Sequence, residues 1–313
     1  MKFNLRFQQD KPFDVVGFGL NSVDFLCVTP RFPAFGGKGE IVRYEKHGGG
    51  QVATAMVACS QWGLKTKYIG KVGEDDWGSF SLQSIREAGV DVSSVTIEGG
   101  ATNQFAFILI DGESGERTII WHRDRKLLYR NGQLSKEDVC QGKILHGDGH
   151  DIEATIQAIR WAKERGIVTV LDVDKMEETT PELIRDVDFL VTSATFGPRF
   201  TGIEDREKAL LALREYSSGF LCATLGREGA MAVVGNRIVH SKGFAVDVVD
   251  TTGAGDVFHA GFIYGLIKNW DLEEILRFAN AVAALKCTRM GGRAAPTLHE
   301  VHSFFGSTAN TTR

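Results

Sequence analysis

Apolar runs one strand long alternate with helical patterns along most of this chain, and that alternation narrows the folds open to it. Phe13–Gly19, Lys65–Gly70, Ile167–Val173, Asp188–Val191 and Phe220–Thr224 read as buried strands. Val52–Trp62, Asp76–Ala88 and Ile152–Arg165 read as helices between them. A parallel neighbour needs a long crossover, so strands separated in this way imply βαβ units. The expected class is therefore α/β, a central mostly parallel sheet flanked by helices.

Two stretches break the alternation. Gly36–Lys46 and Val95–Trp121 are strand-like with no helix between. Gln104–Ile110 and Arg117–Trp121 flank the turn Asp111-Gly-Glu-Ser-Gly-Glu116, the pattern of a hairpin. These strands are expected to form a small β-sheet lid that closes as a unit and excludes water. The expected division is an α/β core over about 12–28, 47–94 and 124–313, with a discontinuous lid over about 29–46 and 95–123. Gly253–Ile267, Leu272–Cys287 and Thr297–Phe305 read as helices, with Asp271 as an N-cap.

The 313 residues suit one large domain with an appendage. No apolar run reaches the ~18 residues of a membrane span, and Met1–Asp10 holds no apolar signal region. The chain is expected in the cytoplasm, off the membrane. A net charge of −4 with both signs mixed speaks against a nucleic-acid partner. Cys27, Cys59, Cys140, Cys222 and Cys287 are odd in number and scattered, which suits a reducing compartment.

The segment Val248–Phe262 carries the clearest chemistry. An apolar strand is expected to end at Val249, followed by a small-residue turn and an apolar helix. Gly253, Ala254 and Gly255 let backbone N–H groups approach an anion at the helix start, where the helix dipole adds about half a positive charge. Asp256, in the first turn, lies beside that anion hole and can accept a proton from an attacking hydroxyl. His146-Gly-Asp-Gly-His150 lacks the helix and third ligand of a metal site. It reads as a loop after the strand Lys143–Leu145, where Asp148 could reach a substrate. His122-Arg-Asp-Arg-Lys126 reads either as a solvated loop or as a place where Arg123 or Arg125 grips an acidic substrate group.

Asp250-Thr-Thr-Gly-Ala-Gly-Asp256 resembles the signature of the ribokinase, or PfkB, family of carbohydrate kinases. Gly48-Gly-Gly-Gln-Val-Ala-Thr-Ala, leading into an Ala-rich helix, resembles the family's other signature, and Gly17–Asp24 its first strand. The likeness covers nearly the whole chain. It implies a ribokinase-like fold and transfer of the γ-phosphoryl group of ATP, with Mg²⁺, to a sugar hydroxyl, Asp256 being the base. It puts Asp24, Gly49, Gly50 and Thr54 at the sugar. Thr54 stands where the family usually has Asn, which keeps a hydroxyl but loses the amide.

The resemblance also puts Thr224, Gly226, Gly229 and Asn280 at the nucleotide, together with Ser193. Ser193-Ala-Thr-Phe196 stands in place of the family's Asn-x-x-Glu. Asp250 and Thr252, with Arg289 and Gly291, fall where relatives often hold a monovalent cation such as K⁺ on backbone carbonyls. Within the family, Val246-Asp-Val-Val-Asp-Thr-Thr-Gly-Ala-Gly-Asp-Val-Phe-His259 is similar to sulfofructose kinases. The loop His146–His150 lacks the Arg expected for a sulfonate, which implies a shared subgroup rather than a shared substrate. The expected partners are a sugar and ATP, with a homodimer formed through exposed lid strands. Two other readings stay open. One is a nucleoside kinase with Phe105, Phe107 and Trp121 as a base slot. The other is a non-catalytic sugar-binding regulator, against which the intact Asp256 and Gly-Ala-Gly turn speak.

Overall fold

The computed structural model describes residues 1–130 and 132–309, with side chains through residue 305. The first half of the chain forms β1 (Phe13–Phe18), β2 (Ser22–Thr29), β3 (Arg43–Gly49), α1 (Gln51–Gln61), β4 (Thr66–Gly73), α2 (Asp76–Glu87), β5 (Val95–Glu98), β6 (Phe105–Asp111), β7 (Arg117–His122), α3 (Lys136–Val139), β8 (Gly142–Asp148) and α4 (Ile152–Glu164). The second half forms β9 (Val168–Val173), α5 (Thr180–Arg185), β10 (Phe189–Ser193), α6 (Phe196–Thr201), α7 (Arg206–Ala212), β11 (Phe220–Thr224), β12 (Gly229–Val234), β13 (Arg237–Lys242), α8 (Ala254–Ile267), α9 (Leu272–Cys287) and α10 (Leu298–Ala309). No helix among the described residues is long and apolar enough to cross a membrane.

Nine strands make one sheet in the order β13-β12-β11-β10-β9-β8-β1-β4-β5. All pairs from β11 to β5 are parallel, while β12 and β13 return antiparallel. The strands are apolar on both faces because helices cover both. Val170, Val191 and Cys222 pack with α1, α8 and α9, whereas their neighbours Leu171, Leu190 and Leu221 pack with α4, α5, α6 and α7. The strand order reverses at β1, which lies between β8 and β4. Ligands bind open parallel sheets outside the carboxyl ends of the strands at such a reversal.

A second sheet has the order β3-β2-β6-β7. It springs directly from the carboxyl end of β1, so it is anchored beside that reversal. The division falls elsewhere than expected. Ser22–Thr29 pairs with β3 and β6 in the small sheet, whereas Val95–Glu98 pairs with β4 in the large one. β2 is buried along nearly its whole length, so its residues read like those of a core strand.

Two further differences concern the C-terminal half. Val248 and Val249 are exposed and belong to no strand. Instead the Val249 and Asp250 N–H groups donate to Cys287 O, at 2.8 and 3.1 Å, and so close the end of α9. The antiparallel pair β12–β13 adds two strands that the alternation with helices does not anticipate. The expected N-cap at Asp271 is present as a full capping box with Glu274.

Candidate active site

The loop from Asp250 to Gly253 feeds α8, whose N-cap Gly253 has φ 75°. That left-handed conformation excludes a side chain at low cost, and a Cβ there would also press on the backbone of Gly292. Gly255 is different. Beyond its chain neighbours and the backbone of its own helix, no atom lies within 4 Å of where its Cβ would stand, so the first turn of α8 faces open space. Asp256 follows in the same turn and is partly exposed. Burial pushes its pKa up to about 8, and the charge of Asp172 adds to this, against the pull of His259 and Arg117.

Asp172 was not singled out by the sequence patterns. It is the penultimate residue of β9, in register with Asp148 of β8. Gln51 Nε2 donates to its Oδ2 at 3.1 Å, and His259 Nε2 lies 3.7 Å from its Oδ1. Burial first, then Asp174 and Asp148, hold its pKa well above the carboxylate range. A carboxylate inside an apolar strand was the available signal. His259 braces α8 against β10, its ring nitrogens 2.8 Å from Gly255 O and 3.1 Å from Val191 O.

Asp24, on β2, is buried and accepts from Ser22 Oγ at 2.7 Å. Burial raises its pKa, and Arg293 pulls it back. Gly49 lies against Asp24 so closely that a Cβ would collide with the carboxylate. Gly50 precedes α1, and Thr54 lies one turn in. Arg293 also reaches this cluster: its guanidinium donates to Gly49 O at 2.7 Å and to Asn21 Oδ1 at 3.0 Å. Asn21 Nδ2, Gln51 Oε1, Thr54 Oγ1 and Thr252 Oγ1 are buried without a protein partner. Such atoms cost about 1–3 kcal/mol each unless a ligand or water meets them.

Asp148 differs from expectation. It is buried inside β8 rather than held in a loop, and both oxygens are taken by backbone N–H groups, of Leu20 at 2.6 Å and His150 at 3.0 Å. It ties β8 to the β1–β2 link, and burial pushes its pKa up to about 6. Arg123 is likewise engaged, 2.7 Å from Asp151 Oδ2, with 11% and 4% of the two side chains exposed. Arg123→Gln is therefore expected to cost about 3 kcal/mol by stranding Asp151, with exposed Arg125→Gln neutral; urea denaturation curves of the two variants check this.

The residues expected at the nucleotide line the end of the sheet. Ser193 and Thr224 are register partners on β10 and β11, and Gly226 follows in a short turn. Gly229 opens β12 opposite Lys242. Asn280 is bonded within the protein, its amide donating to Ser241 O, Ser241 Oγ and Lys242 O at 3.0–3.3 Å, which pins α9 to β13. Phe196 is wholly buried in the core and offers nothing to a metal. From the small sheet, Arg117 Nη1 donates to Thr251 Oγ1 at 2.7 Å, so the β6–β7 hairpin rests on the loop before α8.

Two of the four residues expected to hold a monovalent cation, Asp250 and Arg289, already have their carbonyls engaged by a lysine. Lys286 Nζ donates to Asp250 O at 2.7 Å and to Arg289 O at 3.3 Å, and lies 3.5 Å from Asp250 Oδ2. The Asp250 carboxylate itself accepts from Thr252 N and Gly291 N, at 2.8 and 2.9 Å. Burial draws the Lys286 pKa down while Asp250 draws it up. Nζ faces these oxygen acceptors, an arrangement suited to the ammonium form.

The profile of the pfkB family carbohydrate kinases matches residues 13–298. An ATP-dependent ribose-1-phosphate kinase of Halopiger xanaduensis is 30% identical over 302 residues, covering 93% of this chain and 97% of that protein. A 5-dehydro-2-deoxygluconokinase of Geobacillus thermodenitrificans is 26% identical, over 96% of this chain and 95% of its own. The structure of Arabidopsis thaliana ribokinase with ribose and ATP superposes with a TM-score of 0.79 at 23% identity, over 93% of this chain and 98% of that one, which shows the shared fold. The open first turn of α8, the carboxylates around it and the small sheet beside it thus belong to a kinase: this chain is a member of the pfkB family of carbohydrate kinases.

Proposed function

We propose that this kinase is a cytoplasmic enzyme that moves the γ-phosphoryl group of ATP to a hydroxyl of a sugar or sugar derivative. Asp256 takes the hydroxyl proton as the new oxygen–phosphorus bond forms and the bond to the β-phosphate oxygen breaks, leaving ADP. The amides of Gly253, Ala254 and Gly255 hold the charge on the transferred group. One observation carries the reading: Asp256 stands in a helical first turn whose Gly255 opens onto a space without protein atoms. Positioning and electrostatics are the main sources of rate in phosphoryl transfer.

Asp24, Gly49, Gly50, Thr54 and Asp172 are the residues offered to the sugar, and Ser193, Thr224, Gly226 and Gly229 to the nucleotide. Mg²⁺ prefers phosphate oxygens and water, and when bound it screens the phosphate charge. Ser193, the last residue of β10, would offer a hydroxyl to the water shell of a Mg²⁺ ion carried by the nucleotide. Arg117, resting on Thr251, ties closure of the small sheet to the anion hole.

The nucleoside reading loses its slot. Phe105 and Phe107 share a sheet face with Phe25, while Trp121 pairs with Ala106 on the face of Asp24. Strand alternation sends these rings to opposite sides. Tyr44, Phe107 and Ile120 lie exposed on the outer face, which we assign to a homodimer; a monomer mass in sedimentation would remove that assignment. ADP release with neutral, phosphorylated and sulfonated ketoses and aldoses, and with nucleosides, tests the substrate. The expected result is turnover with a sugar; turnover with nucleosides alone would overturn the reading.

A further inference from the structure

We infer that the Lys286 ammonium takes the place of a monovalent cation under the anion hole, so that this kinase carries its own cation and needs none from solution. Lys286 and Asp250 are both 0% exposed. Nζ has three hydrogens, and three oxygens surround it: Asp250 O at 2.7 Å, Arg289 O at 3.3 Å and Asp250 Oδ2 at 3.5 Å. A metal cation on the same carbonyls would stand against the ammonium and be repelled by it. The monovalent cation that the family resemblance implies at Asp250, Thr252, Arg289 and Gly291 therefore does not fit this chain.

The placement gives the charge a task. Asp250 opens the loop that ends in Gly253, and Gly253 lies against Gly292, two residues beyond Met290 in the loop held by Arg289 O. The ammonium thus clamps both segments that shape the first turn of α8. The N–H side of the clamp is built as well, since Val249 N and Asp250 N donate to Cys287 O, the residue after Lys286. The remaining charges that bear on Lys286 are Asp250 and Arg117, with the Cys287 thiol beside it. Lys286 sits in the last turn of α9, where the helix dipole favours a cation. Lys286 is a positioning residue: it acts on transfer by fixing the loop, without touching the reacting atoms.

The consequence for catalysis rests on the anion-hole reading above, whereas its effect on folding does not. The experiment therefore has two readouts, thermal melting without substrate and turnover with whichever sugar is active. Both are taken in chloride salts of K⁺, NH₄⁺, Na⁺ and choline at equal ionic strength. For the unaltered protein the melting temperature and kcat are expected to be the same in all four. Lys286→Ala opens the site. Its kcat is expected to fall about a hundredfold in choline, the size of effect a misplacement of about 1 Å produces. K⁺ or NH₄⁺ should restore most of that loss and raise the melting temperature of this variant, because they bind its folded form. Lys286→Met fills the volume without charge and should show the loss but no rescue.

A rise of melting temperature or kcat with K⁺ in the unaltered protein would overturn the inference. Full activity of Lys286→Ala in choline, or equal rescue of Lys286→Met, would do the same. If Lys286→Ala does not fold in choline, refolding in K⁺ supports the inference; if it fails in every salt, the unaltered protein decides, salt-independent melting and kcat supporting the inference and a rise with K⁺ overturning it.

Discussion

Asp256→Asn is expected to lower kcat by about 10²–10⁴-fold, the range of general base catalysis, while the Kd for ATP changes little. Single-turnover assays and calorimetry check the two halves, and retention of more than a tenth of kcat would remove Asp256 as the base. The same carboxylate predicts a pH dependence. Burial and Asp172 raise its pKa to about 8, and only the ionised form accepts a proton. The profile of kcat/KM should therefore rise with pH through the neutral range toward that value, and a plateau reaching down to pH 5 would sink the assignment. Asp172 titrates nearby, so the observed midpoint belongs to the pair. Stability runs the other way. The folded protein holds this proton above the unfolded value of 3.8, so stability contributed by the neutral acid is lost as pH rises toward about 8. Asp256→Asn lacks that loss, and its melting temperature should gain on the unaltered protein across the same window.

The second large effect separates folding from chemistry within three residues. Gly255→Val should leave the melting temperature nearly unchanged, because nothing lies within 4 Å of the added Cβ and valine suits a helix better than glycine. Its kcat should fall about 10²–10³-fold, as expected when groups that stabilise developing charge are blocked. Gly253→Ala should instead lower stability by about 2 kcal/mol, since the residue has φ 75° and faces the Gly292 backbone. Melting curves and kcat for the two variants decide it. Equal loss of stability, with activity of Gly255→Val intact, would show that the space beside Gly255 is not where the phosphoryl group moves.

Much of the large sheet was legible in the sequence because both its faces are covered. Strands such as Leu221-Cys-Ala are then apolar without interruption, and helices of crossover length separate them. The boundary of the small sheet was not legible. β2 is as buried as β1, and only Gly19-Leu-Asn marks the change of partner. β5 resembled a lid strand because four residues carry no helix before the next strand. The site divides in the same way. Gly253, Ala254, Gly255 and Asp256 are contiguous, so spacing along the chain shows them together. Asp148 looked available to a ligand, yet backbone N–H groups take both oxygens, which no local pattern records.

By itself the sequence determined the α/β class, the family and the contiguous loop that we assign to the phosphoryl group, because each depends on neighbours in the chain. The tertiary structure alone decided what surrounds that loop. Arg117 reaches Thr251 across 134 residues, Gln51 reaches Asp172 across 121, and Lys286 reaches Asp250 across 36. Charge and desolvation act through space, so the raised pKa of Asp256 and the ammonium seated on Asp250 O and Arg289 O exist only once the chain has closed around them.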